Sequence, residues 1–182
     1  MPNWCENNIE ISGPADKLAL FVSKIKEGDG LLSAHYPMPE SKVQQLNESE
    51  DCFLHEIRRS IGTDKEPTLD KAWYYWKVHN WGTKWDIPNE DLSYCDLTPE
   101  DKTWTVSFMS AWSPPVAWLH KVSEDNPDLE FCLEFVEYGC WFAGAMTWKD
   151  GGMHDCKEGK PDEFDFCAER VDYLEQMEDD NE

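Results

Sequence analysis

Apolar and polar residues alternate most cleanly at Leu129, Phe131, Leu133 and Phe135, which are interleaved with Glu130, Cys132 and Glu134. A period of two marks a strand with one buried face. The same period sets Trp104, Val106 and Phe108 against Thr103, Thr105 and Ser107, and it places Ile9 and Ile11 on one side of a short strand over 8–12. Leu18, Phe21, Val22 and Ile25 fall instead at helical spacing after Gly13-Pro14, and Gly28-Asp29-Gly30 stops that helix. Trp118, Leu119 and Val122 give a second helix its buried stripe, with Ser113 read as its N-cap, Pro114 as its first residue and Asn126-Pro127 as its end.

The remaining segments are less regular. Asn80-Trp81-Gly82-Thr83-Lys84-Trp85-Asp86 is short, aromatic and interrupted by glycine, which predicts a strand beside the Trp104 strand with a bulge or close backbone approach at Gly82. Residues 31–36 read as a brief extended segment, and 88–101 as an acidic loop. Tyr138-Gly139-Cys140 turns the chain into a strand over 141–148, and Asp150-Gly151-Gly152 turns it again. From Met38 the chain becomes polar, with Phe53, Leu54, Ile57 and Ile61 at helical spacing and Thr68 placed to cap a helix carrying Trp73 and Trp76. The segment 38–79 is therefore expected to be a helical insertion in a domain over 1–154. Residues 155–182 are expected to form an acidic tail, partly helical through Cys167, Val171 and Leu174, with 178–182 fraying.

With the insertion set aside, the order is strand, helix, strand, strand, helix, strand, then an extra hairpin. That order predicts an α+β fold of the ferredoxin-like kind: an antiparallel sheet with two helices on one face. Another α+β sandwich with a different strand order is the alternative. The chain of 182 residues suits one such domain with an embellishment.

Charge narrows the function. With 38 acidic and 16 basic residues the formal net charge is -22, which repels phosphate backbones and anionic membranes and favours basic partners. Direct nucleic-acid binding and membrane association are not expected. Simple solubility is the bland explanation of the same charge. Seven cysteines lack any C-x-x-C spacing, and the N-terminal residues lack a signal-peptide pattern, so a reducing cytoplasm with free thiols is expected.

Candidate chemistry is thin. His154 and Cys156, with Cys132 and Cys140 upstream, are zinc-ligand types without paired knuckles, so no metal and no cofactor is expected. Hydrolase, zincin and P-loop motifs are missing from the sequence. Of the five histidines, His79 beside the Trp81 block is the best candidate general base, and it anchors the alternative of a small enzyme or metal-binding protein using nearby carboxylates such as Asp86, Glu90, Asp91 and Asp96. Trp104 reads as core. Trp81 and Trp85 resemble a base-stacking platform, but Lys84 is nearly alone beside them, so they read instead as protein contacts if exposed.

Met1-Pro2-Asn3-Trp4-Cys5-Glu6-Asn7-Asn8, the 80–86 block, Ala111-Trp112-Ser113-Pro114-Pro115 and Tyr138-Gly139-Cys140-Trp141-Phe142-Ala143-Gly144 occur in that order. Together they resemble the YubB-type ferredoxin-like domain family of bacteriophages and plasmids, across roughly 1–150 of the chain. The resemblance implies the ferredoxin-like fold, a mobile-element origin and a bacterial host cytoplasm; it brings no catalytic residue. The resulting expectation is a non-enzymatic acidic protein that binds a basic host protein and blocks a nucleic-acid-binding surface, as a DNA mimic serving counter-defence or host takeover. Its expected contact residues are Trp81, Lys84, Trp85, Asp91, Asp96, Glu100 and Asp101.

Overall fold

Strand β1 (Trp4–Ser12) lies between β3 (Thr103–Ala111) and β4 (Glu130–Glu137), antiparallel to both. The computed structural model describes residues 3–38 and 72–172. Around β1 the sheet has six strands, in the order β2-β3-β1-β4-β5-β6, with β2 at Ser93–Tyr94, β5 at Phe142–Lys149 and β6 at Gly152–Gly159. Helix α1 (Ala15–Glu27) leads the chain from β1 toward β2, and α3 (Val116–Asp125) carries it from β3 to β4. Because β3 and β4 are each antiparallel to the strand between them, they are parallel to each other. The two split β-α-β units therefore interleave, which is the ferredoxin-like arrangement.

Alternation along the strands sorts the core. Ile9, Ile11, Trp104, Val106, Phe108, Phe131, Leu133, Phe135, Met146 and Trp148 face the helices and are buried. Leu18, Phe21, Val22 and Ile25 of α1, with Trp118, Leu119 and Val122 of α3, cover them. Phe21 meets Phe131 edge-on with ring centroids 5.5 Å apart. Gly144 sits opposite Phe135 because a Cβ there would lie 2.4 Å from that ring.

Four local expectations need correction. The 80–86 block is not a strand: Trp81 closes helix α2 (Ala72–Trp81), and Gly82, at φ 86°, donates its N–H to the Val78 carbonyl at 3.0 Å. A left-handed glycine just past a helix is a stop signal, which in sequence looks the same as a bulge glycine. The second ferredoxin strand is instead β2, two residues long and hidden in the acidic loop. Residues 31–36 form consecutive turns, with Ala34 N–H on Gly30 O and Tyr36 N–H on Leu32 O, and the Asp86 carboxylate accepts the N–H groups of Leu32, Ser33 and Ile87. Ser113 does not cap α3, which starts after Pro115; its hydroxyl donates to Gly82 O at 2.6 Å.

The hairpin β5–β6 is present, and β6 runs across the boundary expected at 154. Beyond it, Phe164, Cys167 and Val171 pack on Val136 and Ala143, a second small core on the sheet face away from the helices. Residues 168–172 are helical. The expected helix through Phe53, Leu54, Ile57 and Ile61, its neighbour's Thr68 cap, and the frayed 178–182 lie outside the described residues.

Two outcomes follow for stability. Phe108→Ala removes a ring that is 4% exposed and should cost roughly 3–5 kcal/mol in urea unfolding, from the cavity it leaves. His35 stacks on Phe21 at 3.8 Å and donates from Nε2 to the Phe21 carbonyl at 3.1 Å. Burial pulls its pKa down from 6.5 to about 4. The unfolded chain therefore binds more protons at this residue between those values, so its contribution to stability is complete above about pH 6.5 and is lost as pH falls toward 4. Urea midpoints across that range should fall less steeply for His35→Gln than for the natural chain.

Candidate functional site

The four tryptophan-containing strings, far apart in sequence, meet at one end of the sheet. Trp4 pairs with Ala111 in the β1–β3 ladder, and the Trp112 N–H donates to Asn3 O at 2.9 Å. Asn7, only 4% exposed, donates to Cys5 O and to Ser110 Oγ, each at 2.8 Å, and Ser110 Oγ donates onward to Ser113 O at 2.8 Å. The 80–86 block is clipped to the same place by Thr83, whose hydroxyl donates to Ala111 O at 2.9 Å, and by the Ser113 hydroxyl on Gly82 O. A Cβ at Gly82 would lie 3.0 Å from Pro114 O and 3.2 Å from Ala117 N, so the close approach and the φ of 86° both favour glycine. The fourth string joins through the buried Glu137 carboxylate, which accepts the N–H groups of Gly139 at 2.7 Å and Cys140 at 2.6 Å. Asn3 Nδ2 completes the ring of contacts on Cys140 Sγ at 3.4 Å.

This network leaves four indoles facing outward: Trp4, Trp85, Trp112 and Trp141 are 47%, 37%, 58% and 37% exposed. Trp4 and Trp85 lie 6.0 Å apart between ring centroids, and the Lys84 ammonium stands 4.5 Å above Trp85. Trp112 and Trp141 hold left-handed backbones, with φ of 77° and 59°. For a bulky residue that conformation is costly; at Trp112 the N–H bond to Asn3 O helps to hold it.

From this end a groove of about 510 Å³ runs along the open sheet face. Glu6 and Asn8 of β1 and Glu134 of β4 are among its floor residues, with Tyr138 and Phe166 on one side and Asp91 on the other. Burial, with nearby carboxylates adding to it, raises several groups on and behind this face. Burial, Cys167 and Glu6 push the Tyr138 phenol up to about 12. Burial, Glu137 and Glu6 push the Cys5 thiol up to about 12. Cys132 is raised by burial, Glu134 and Glu10, and Cys167 by burial first, with Glu6 and Glu134 adding to it. Thiols held protonated this way are poor nucleophiles.

The expected contact residues divide. Lys84 and Trp85 sit at the tryptophan end. Trp81 does not: it is 2% exposed, its indole N–H donates to Tyr36 O, and its ring meets Trp76 at 5.6 Å, so it belongs to the core. Asp91 borders the groove. Asp96, Glu100 and Asp101 precede β3, whereas Trp112 follows it, so a strand length of about 30 Å lies between the two groups. Asp96 pairs with Lys26 at 2.7 Å, which holds its carboxyl below the usual range, and Asp101 caps the Thr98 N–H at 2.6 Å. His79 is exposed in the last turn of α2. Among the described residues no group of three His, Cys, Asp or Glu side chains gathers as for a metal, and His154 and Cys156 lie exposed on β6. No helix among the described residues is long and apolar enough to cross a membrane.

Sequence reasoning missed Trp4, Trp112 and Trp141 as surface residues. The signal was present in phase: Trp4 alternates out of step with Cys5, Ile9 and Ile11, and Trp141 follows a turn rather than sitting within a strand.

Comparison with known proteins gives the chain its relatives. No curated protein matches it significantly. A crystal structure of the protein Api92 from Yersinia pseudotuberculosis is similar in fold, with a TM-score of 0.55 and 11% identity, over 87% of this chain and 98% of that one. Residues 80–180, more than half of the chain, match the model of a family described as the ferredoxin-like domain in Api92-like protein. They carry three of the four tryptophan strings, β2 to β6 and the segment packed on the open face, and by that match the chain belongs to the family of Api92-like proteins with this ferredoxin-like domain.

Proposed function

We propose that the protein is a non-enzymatic binding module that docks its tryptophan end against a basic surface of a protein partner. The observation that carries this reading is the convergence of four exposed indoles on one rigid, hydrogen-bonded end of the sheet. Tryptophan is the residue most enriched among interface anchors, and anchors work best when their positions are fixed before binding. The net charge of -22 favours a basic partner and raises its encounter rate. Membership of the YubB-type group, a bacteriophage or plasmid origin and a role in the host cytoplasm complete the reading. The partner is then a host protein that handles nucleic acid, and the module acts as its inhibitor. The separation of Asp96, Glu100 and Asp101 from the tryptophans favours contact through the tryptophan end and open face over a DNA-like row of charge.

Immobilised protein should retain a basic nucleic-acid-binding protein from bacterial lysate at low salt and shed it at high salt. Trp85→Ala with Trp112→Ala should abolish that retention while leaving the chain folded, with a cooperative urea transition, since neither ring belongs to the core. Loss of each anchor is expected to cost about 2 kcal/mol of binding, roughly 30-fold in Kd. Retention unaffected by these changes, or turnover of a small molecule lost on His79→Ala, would overturn the reading.

A further inference from the structure

The open-face groove has a chemistry of its own. Glu6 pairs across with Val136, and Glu134 with Asn8, so the two glutamates are diagonal neighbours on adjacent strands and face the same side. Backbones at such positions are about 7–8 Å apart, and like charges there repel. No ion pair among the described residues neutralises Glu6, Glu134 or Asp91; the described pairs are Lys17–Asp128, Lys26–Asp96 and Lys149–Glu130. Beside the carboxylates stand the rings of Tyr138 and Phe166, the latter 39% exposed. Tyr138 in this wall and Phe164 packed behind it already meet cations supplied by the chain itself. The Arg170 guanidinium lies 5.9 Å from the Tyr138 centroid, and Lys157 Nζ lies 4.5 Å from that of Phe164, whose ring is 5.3 Å from Phe166.

Two carboxylates with no ion pair among the described residues, set beside flat aromatic faces, complement a planar cation with several N–H donors. We propose that the groove takes an arginine side chain carried on an extended, basic segment of the partner, its guanidinium bonded by Glu6 and Glu134 and stacked toward Tyr138 and Phe166. This rests on the reading of the protein as a binding module, whose tryptophan end opens onto the same groove. Lysine is the poorer fit, because an ammonium is a strongly hydrated point charge without the fork that meets two carboxylates. The sheet face also limits what can lie there: carboxylates on both central strands exclude a phosphate backbone from the surface that carries bases in RNA-binding domains of this fold.

The probe is a blocked hexapeptide of alternating glycine and arginine, titrated into the full chain at physiological ionic strength and followed by calorimetry and amide shifts. Binding should move the amides of Met109, Val136 and Phe166, and replacing arginine by lysine should weaken it. Glu6→Gln with Glu134→Gln should weaken it roughly tenfold, a loss of about 1.4 kcal/mol. Asp16→Asn with Glu27→Gln removes the same charge from the exposed face of α1 and should change affinity less than about twofold, by screening. Equal weakening by the two pairs, shifts spread over the acidic surface, or no binding to the natural chain would overturn the proposal. The two readings fail separately. Partner retention that needs Trp85 and Trp112 but survives loss of both glutamates leaves the module and removes the groove. Peptide binding at the groove without any retained partner does the reverse.

Discussion

Strand β1 is hydrogen-bonded along both edges, and that constraint propagates through the molecule. A strand paired on two sides cannot slip by one residue without turning Ile9 and Ile11 out of the core and Glu6 and Glu10 into it. The register of β1 therefore fixes three things at once. It places Asn7 against Ser110, aligns Trp4 with Ala111, and stacks the carboxylates of β1 beside those of β4. The hydrophobic core and the polar network at the tryptophan end are two faces of one pairing.

The elements legible in the sequence were those whose burial is one-sided. β1, β3 and β4 alternate because helices cover one face only, and α1 shows its stripe for the same reason. The failures have physical causes as well. β2 is too short to show a period, and its two residues owe their strand state to β3. Trp81 and Trp85 are four residues apart and look alike in sequence, yet one finishes a helix in the core and the other lies beyond a left-handed glycine at the surface. Ser113 and Pro114 carry the residue types of a helix start, but the hydroxyl serves a different backbone, that of Gly82. Nothing local distinguishes those uses, because each depends on a partner distant in sequence: Tyr36 for Trp81, Trp4 for Trp85 and Gly82 for Ser113.

The candidate site was legible as strings and not as a place. Rare tryptophan motifs in a fixed order marked the segments, while their convergence required the clips made by Asn3, Thr83, Ser113 and Glu137. The acidic loop misled for the opposite reason. Composition grouped Asp91, Asp96, Glu100 and Asp101, but the chain spends Asp96 on an ion pair with Lys26 of α1 and Asp101 on the turn at Thr98, and carries only Asp91 to the groove. Charge counted along a sequence says little about charge presented together on a surface.

The left-handed backbones of Trp112 and Trp141 set the surface against the stability of its own scaffold. At both positions glycine or asparagine would relax the backbone, and neither indole is needed to fill the core. Neither ring is favoured by foldability alone. Their backbone strain and exposure make these two rings a cost to the scaffold, and a pool of variants sorted for stability alone should lose them early.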